Sequence, residues 1–363
     1  MTRHFLSPEA QARFTAARID AVRTIGALAV AEHCSFVIVC GDVFESNHVE
    51  RQVVVRALDA MSAAPNVTFY LLPGNHDPLD ASSVFRSPTF TAHRPANVIV
   101  LDGPGPVAVA PGVELVAAPW FTKRPLADLL AQATHGLPAN GTMRVAVGHG
   151  AVDLLSPDPT NPALVVLADL EASLDAGAIH YVALGDRHST TEVGRTGRVR
   201  YSGAPEPTDY VEVDAGNVLV VDVTADSISI ETRPVGTWQF LRRDFDLAGS
   251  PDCDRVEAFL DAIEDKARTI VKLALVGQLS LTVKARLEEI LEHHGYLLAA
   301  LETWERRSEL VVLPDDDDFD TLQLSGYASD ALDDLRRLAD DDDRALVARD
   351  ALGLLYRLGS VPQ

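Results

Sequence analysis

The chain has 363 residues, 47% of them hydrophobic and 23% charged, and this balance excludes a fibrous or low-complexity protein. Asp and Glu outnumber Lys and Arg by 53 to 31, giving a formal net charge of −22, so polyanions and anionic membranes are repelled on average. The apolar runs are too short to cross a bilayer, and the first residues lack the apolar core of a signal peptide. We therefore expect a cytoplasmic protein with no membrane contact.

Hydrophobic spacing predicts alternating helices and strands over the first two thirds of the chain. Residues 8–32 have apolar side chains at helical spacing, the β-rich run 36–40 follows, and a helix at 50–61 leads into a strand at 67–72. Further strand-like runs lie at 98–101, 115–118, 145–147 and 181–184, and residues 198–233 read as antiparallel strands. This order indicates α/β structure with polar groups at the carboxyl ends of the strands.

The pattern changes after Gly236. Strands are predicted at 239–245, 270–276 and 309–313, helices at 254–268 and 282–294, and acidic helices after them. We interpret the chain as two domains, residues 1–235 and a smaller α+β domain at residues 236–363.

Polar residues stand at the ends of four predicted strands, each group behind a glycine. They are Asp42, then Asn75, His76 and Asp77, then His149, then Asp186, Arg187 and His188. A single Gly-Asp ends many strands, and a lone histidine is more often structural than functional. Four such endings in one chain are difficult to attribute to chance.

The series Gly41-Asp42-Val43-Phe44, Gly74-Asn75-His76-Asp77, Gly148-His149 and Gly185-Asp186-Arg187-His188 resembles the calcineurin-like metallophosphoesterase superfamily. The Gly-Asp-x-Phe form and the trailing domain are most similar to SbcD-type DNA repair exonucleases. The resemblance covers residues 1–235 and implies a two-sheet α/β sandwich. It also implies DNA as substrate and an SbcC-like ATPase as partner.

The resemblance implies a metal centre with two divalent ions. Asp42 would bridge both ions, Asn75, His149 and Asp186 would complete the shell of one, and His188 would bind the other. Mn²⁺ is the ion expected from the family, and Mg²⁺ also suits these ligands.

The resemblance gives the remaining motif residues catalytic or binding roles. His76, held by Asp77, would stabilise the transition state or protonate the leaving oxygen. Arg187 either pairs with Asp186 or reaches the substrate phosphate. The role of Glu45, which follows the first motif, is open.

The sequence departs from the family pattern in two places. Asp186 stands where the family has the first histidine of a His-x-His motif. The family also opens with a strand that ends in Asp-x-His, and no such strand precedes residue 36. We expect the natural polypeptide to begin about a dozen or more residues upstream and to include this missing first strand.

Substrate contacts must come from local groups because the chain is acidic. Basic residues near the predicted strand ends or the second sheet are Arg86, Arg94, Lys123, Arg124, Arg187, Arg195, Arg198 and Arg200, unless these are scattered surface charges. Trp120 and Phe121 either stack on a base at a frayed end or pack internally. The C-terminal apolar residues Leu346, Val347, Leu352, Leu355 and Leu358 either dock the ATPase or form an ordinary helix core, and a homodimer is a further possibility.

Three functions remain open at this point. The first is an SbcD-like exonuclease or endonuclease acting in DNA repair by a two-metal mechanism. The second is a phosphodiesterase or phosphatase for a small phosphoester, against which the second domain argues. The third is a catalytically weak scaffold subunit that lacks the first metal motif.

Overall fold

The computed structural model describes residues 3–224, 227–313, 319, 325–339, 344, 347–348, 351–352 and 354–355. It divides into two compact units, one of residues Ala12–Trp238 and one of the residues up to Gln11 and from Gln239 onward. Positions 346 and 358 of the predicted C-terminal apolar set lie outside the described residues. Within the described ranges, no helix combines the length and hydropathy that crossing a bilayer requires.

The predicted alternation of helices and strands is confirmed up to residue 238. The helices are α1 (Pro8–Ala31), α2 (Arg51–Ser62), α3 (Pro88–His93), α4 (Leu129–Thr134) and α5 (Leu167–Asp175). The strands are β1 (Phe36–Cys40), β2 (Thr68–Leu72), β3 (Val98–Val100), β4 (Gly105–Ala110), β5 (Val113–Ala117), β6 (Met143–His149), β7 (Tyr181–Gly185), β8 (Thr191–Val193), β9 (Val199–Tyr201), β10 (Asn217–Val223) and β11 (Ile228–Pro234).

These strands form two sheets and a hairpin. The first sheet has the order β1-β2-β3 and is parallel. The second has the order β4-β5-β6-β7-β9-β8, with parallel pairing from β5 to β9 and an antiparallel strand at each edge. The hairpin consists of β10 and β11.

Alternate side chains of β2 show how the layers pack. Phe69 and Leu71 pack with apolar residues of α2 and α3, whereas Tyr70 and Leu72 pack with residues of the second sheet such as Leu115. Successive side chains of a strand point to opposite faces, so β2 is covered by helices on one face and by a sheet on the other. The other face of the second sheet packs on α4 and α5. The expected α/β sandwich is thereby confirmed.

The second unit is built around a parallel sheet. Its elements are β12 (Gln239–Leu247), α6 (Ser250–Asp261), β13 (Thr269–Ser280), α7 (Leu281–Leu297), β14 (Ala300–Thr303), β15 (Glu309–Leu313) and α8 (Tyr327–Ala339). The long strand β13 pairs in parallel with β12, β14 and β15. The helix predicted over 254–268 starts earlier, at Ser250, because Pro251 suits a first helical turn.

Candidate functional site

Three polar side chains that follow strands meet around an imidazole nitrogen of a fourth residue, His149. The Nε2 atom of His149, the last residue of β6, lies 2.8 Å from Oδ1 of Asn75. The same nitrogen lies 3.4 Å from Oδ2 of Asp42 and 3.8 Å from Oδ1 of Asp186. We call Asp42, Asn75, His149 and Asp186 the donor cluster. The two sheets thus direct side chains from β1, β2, β6 and β7 to a common point.

The glycines before Asp42, Asn75 and Asp186 allow this close approach. A Cβ atom on Gly41, whose φ is +91°, would lie 2.1 Å from Nδ1 of His149. A Cβ atom on Gly74 would lie 2.4 Å from Oδ1 of Asp42, and one on Gly185 would lie 1.7 Å from the carbonyl oxygen of Cys40. No side chain fits at these three positions without moving the backbone or the donor cluster.

Two members of the donor cluster occupy left-handed backbone conformations. Asp42 has a φ of 53° and Asp186 a φ of 97°. Residues other than glycine take positive φ infrequently, and such strain of about 1–3 kcal/mol persists where the surrounding structure requires it. Both carboxylates are therefore held in place against local backbone preference.

Contacts on either side fix the ring of His149. Its Nδ1 lies 2.7 Å from the carbonyl oxygen of Cys40, which can only accept, so Nδ1 carries a proton. The indole of Trp120 packs edge-on to the ring at 5.7 Å between centroids, and its Nε1 donates to the backbone oxygen of His149 at 2.8 Å. In the neutral ring, Nε2 then presents its lone pair to the cluster oxygens.

The two carboxyl groups of the cluster differ electrostatically. Burial raises the pKa of Asp186. Burial acts on Asp42 in the same direction, but the contact with His149 and the hydrogen bond from the backbone nitrogen of His76, 2.9 Å from Oδ1, outweigh it and lower the pKa of Asp42. Asp42 is thus the carboxyl group more firmly held in its ionised form.

The imidazole of His76 is exposed and lies at the rim of this site. Its Nδ1 lies 3.0 Å from the carbonyl oxygen of Glu45 and donates to it. The carboxylate of Glu45 is 4.0 Å from the guanidinium of Arg18 on α1. The prediction that Asp77 holds His76 is therefore wrong, because the backbone of Glu45 makes that contact.

Asp77 instead ties the first two motifs together. It is fully buried, and its two oxygens accept hydrogen bonds from the backbone nitrogens of Gly74 at 2.7 Å and Phe44 at 2.9 Å. Burial raises the pKa of Asp77 to about 6, although both hydrogen bonds favour the ionised form. This residue positions the loops that carry Asp42 and Asn75.

Arg187 and His188 lie outside the donor cluster. The Nε atom of Arg187 donates to Oγ1 of Thr191 at 2.8 Å. The Nδ1 atom of His188 lies 2.7 Å from Oε1 of Glu212 and 2.9 Å from Oγ1 of Thr208, and the hydrogen bond to Glu212 raises the pKa of His188. The Nε2 atom of His188 is left as the nitrogen available to a ligand.

Glu212 is a residue that the sequence patterns did not identify. Its side chain is only 6% exposed, and its second oxygen accepts from the backbone nitrogen of Thr208 at 2.7 Å. A carboxylate that accepts from the far nitrogen of a histidine commonly orients that histidine toward a metal. Glu212 follows no motif and lies 24 residues from His188, so only the fold reveals the pair.

The donor cluster fits a divalent cation by the chemistry of its atoms. In the described ranges, no group of three or more His, Cys, Asp or Glu side chains is already arranged to hold a metal ion. The cluster's fourth donor is an amide, and its oxygen faces only other acceptors, namely Nε2 of His149 and the carboxylate of Asp42. A half-turn of the Asn75 amide would let its nitrogen donate to them, at 2.8 Å to Nε2 and at 3.1 and 3.2 Å to Asp42.

Each orientation of that amide suits one state of the site. Converging lone pairs on oxygen and imidazole nitrogen repel one another unless a cation lies between them. The orientation with the oxygen inward suits a bound divalent ion, and the turned orientation suits the metal-free chain. Asp42, Asn75, His149 and Asp186 are therefore the residues that would hold the ion.

Comparison with known proteins identifies the domain that carries this site. Residues 15–189 match the calcineurin-like phosphoesterase family. This segment includes the donor cluster, His76, Asp77, Arg187 and His188. No curated protein shows significant similarity to the chain.

Proposed function

We propose that this chain, with its calcineurin-like phosphoesterase domain at residues 15–189, hydrolyses DNA phosphodiester bonds as an SbcD-type exonuclease or endonuclease in DNA repair. The family match itself supports hydrolysis of phosphoesters. The observation that carries the proposal is the donor cluster around Nε2 of His149. Two divalent ions, Mn²⁺ or Mg²⁺, remain our proposal for the cofactor.

The donor cluster and His76 have separate roles in this proposal, metal binding and proton donation. A divalent ion held by Asp42, Asn75, His149 and Asp186 would polarise the phosphoester as a Lewis acid. Because Nδ1 of His76 donates to Glu45, a second proton of the imidazolium form sits on Nε2. That proton can pass to the leaving oxygen, and His76 then returns to its neutral form.

Two features of the chain support DNA as the substrate class. Exposed cations, among them Lys123 and Arg124, lie on the loop that follows Trp120, whose ring packs on His149. The sheet-based unit from Gln239 onward offers surface beyond what a small phosphoester needs. We propose that it serves as a platform for the duplex or for a partner.

An SbcC-like ATPase is the partner that we propose. In the C-terminal region, Val347 is 74% exposed and Leu354 is 52% exposed, whereas Leu352 is buried with Leu281. An apolar segment that is only partly buried suits contact with another protein. This assignment depends on the SbcD resemblance as well as on the exposure of these two residues.

One assay tests the proposed function. The full chain is incubated with Mn²⁺ and either linear duplex DNA or bis(p-nitrophenyl) phosphate. We expect release of nucleotides from DNA, and we expect His76→Ala to remove most turnover while metal binding persists. The matched control is His93→Ala, an exposed histidine on α3 whose Nδ1 contacts Thr89 of the same helix.

The outcomes distinguish three functions. Cleavage of the small ester without cleavage of DNA would favour a small-molecule phosphodiesterase. The net charge of −22 also favours that function, because an acidic chain repels a polyanion such as DNA. No turnover together with no binding of Mn²⁺ would favour a scaffold subunit. Loss of metal from His76→Ala would show that the rim imidazole is a ligand.

A further inference from the structure

We propose that the loop of residues 118–128, between β5 and α4, is a subsite that binds the nucleobase next to the scissile phosphate. The inference rests on the proposed phosphodiesterase function and adds a recognition element to it. Four properties of the loop carry the inference: its anchoring, its exposed apolar side chains, its cations and its attachment to His149 through Trp120.

The loop is anchored at both ends. At its start, Trp120 packs on the ring of His149, and its backbone oxygen accepts from the nitrogen of Leu79 at 2.8 Å. At its end, Asp128 caps α4 by accepting from the nitrogens of Leu130 and Ala131, each at 2.9 Å. The second oxygen of Asp128 accepts from the nitrogen of Val166 at 2.8 Å. The loop is thereby held at one end against His149 of the donor cluster and at the other against α4 and Val166.

Between the anchors, the loop turns apolar side chains toward solvent. Phe121 is 42% exposed and Leu126 is 87% exposed. They line an apolar depression of about 260 Å³ together with Pro125 and Leu129. A single exposed apolar side chain is ordinary, but two of them that flank one depression beside a candidate active site form a surface suited to a flat apolar group.

Two cations lie between Phe121 and Leu126 in the sequence of the loop. Lys123 and Arg124 are exposed, and among the described residues neither has a carboxylate within ion-pair distance. Arg144, by contrast, forms an ion pair with Glu114 at 2.7 Å. An aromatic ring beside unpaired cations is the combination that binds a base by stacking and its phosphates by charge.

The size and position of the depression favour a base over a protein partner. A volume of about 260 Å³ is below the 300–1,000 Å³ typical of sites for larger ligands, and it suits one ring system. A stable protein interface covers about 800 Å² on each partner, which one short loop does not offer. Phe121 directly follows Trp120, whose ring packs on His149, and this connection is the basis for assigning the depression to a base near the reacting phosphate.

The test compares two phosphodiesters with the same p-nitrophenyl leaving group. They differ only in the group that stays on the phosphate after hydrolysis. Thymidine 5′-(p-nitrophenyl phosphate) carries a base, and methyl p-nitrophenyl phosphate does not. We expect the full chain with Mn²⁺ to have a kcat/KM about tenfold higher for the thymidine ester, since stacking of one base supplies the corresponding free energy of about 1.4 kcal/mol. We expect Phe121→Ala to lower the ratio of the two constants toward one.

Two further variants make the test specific. Phe121→Trp keeps a stacking surface and should preserve the ratio. Tyr296→Ala removes an aromatic residue that is 79% exposed on α7, and it should leave both constants as in the parent chain.

Each result has one meaning. A ratio that Phe121→Ala lowers and Phe121→Trp preserves supports the subsite. A parent ratio near one, or equal losses for both esters in Phe121→Ala, overturns the subsite while the phosphodiesterase function stands. No hydrolysis of either ester or of DNA by the parent chain would instead remove the proposed function on which the subsite rests.

Discussion

The Nδ1 atom of His149 donates a hydrogen bond to the carbonyl oxygen of Cys40 at 2.7 Å, across the boundary between the two sheets. This contact couples the end of β6 to the end of β1. It sets the tautomer of the ring and directs Nε2 to the oxygens of Asn75, Asp42 and Asp186. The backbone of one sheet thereby orients an imidazole of the donor cluster that belongs to the other sheet.

Removal of this imidazole should abolish tight metal binding. We expect His149→Ala to weaken Mn²⁺ binding by more than about 100-fold, since loss of an outer-shell partner alone costs up to about that factor. Isothermal titration calorimetry with Mn²⁺ measures the change, with His93→Ala as the control. An affinity equal to that of the parent chain would show that the donor cluster does not hold the ion.

The glycine at position 41 should be irreplaceable for steric reasons. Gly41→Ala would bring a Cβ atom to 2.1 Å from Nδ1 of His149, in addition to the strain of a φ of +91°. We expect the free energy of unfolding to fall by about 2–4 kcal/mol in urea denaturation, from overpacking together with left-handed strain.

A second glycine separates the two contributions. Gly112 has a φ of +73° and open space around it, so Gly112→Ala adds only the backbone strain of about 1–2 kcal/mol. Equal losses for the two variants would show that the approach of β1 to His149 tolerates a side chain.

Glu212 should act by orienting His188. Glu212→Gln keeps the shape of the side chain, but its amide can donate to Nδ1, which now lies 2.7 Å from a carboxylate oxygen. We expect the ring of His188 to lose its preference for the Nδ1-protonated tautomer, as measured by ¹⁵N chemical shifts. If His188 binds an ion, Mn²⁺ affinity should fall about 10- to 100-fold.

The control for this change is Glu192→Gln, which breaks an ion pair with Arg200 on a neighbouring strand. It should alter neither the tautomer of His188 nor the metal affinity. Unchanged ¹⁵N shifts in Glu212→Gln would assign Glu212 to stability of the 208–212 loop alone.

His180 should make folding stability depend on pH. Burial, together with the charges of Arg198 and Arg144, lowers the pKa of His180, and its Nδ1 accepts from the backbone nitrogen of Arg144 at 3.2 Å. The folded chain therefore binds fewer protons than the unfolded chain below the ordinary histidine pKa of about 6.5. Stability should fall as the pH decreases from about 6.5 toward the lower folded-state pKa.

His180→Asn keeps an acceptor near Arg144 and removes the titrating group. We expect this variant to lose less unfolding free energy than the parent chain between about pH 7 and pH 5. His135→Asn, at an exposed site after α4, serves as the control. An identical pH dependence in His180→Asn and the parent chain would contradict the assignment.

The sequence predicted the strands that carry the donor cluster because their apolar β-branched runs end at distinctive glycine motifs. It did not predict β4, whose run from Gly105 to Ala110 contains Pro106 and alanines of low strand propensity. It also paired Asp77 with His76, whereas the bend after β2 buries Asp77 against the backbone nitrogens of Gly74 and Phe44. The contact of Glu212 with His188 depends on loop geometry, which no local pattern encodes.

At Asp42 and Asp186, the positive φ angle strains the backbone at the same position that supplies a carboxylate to the donor cluster. Glycine would relieve the backbone at either site and would also delete a carboxylate. Substitution by glycine at either position would therefore favour the folded backbone and remove a carboxylate from the donor cluster. At both positions the fold therefore retains a carboxylate of the donor cluster together with a strained backbone.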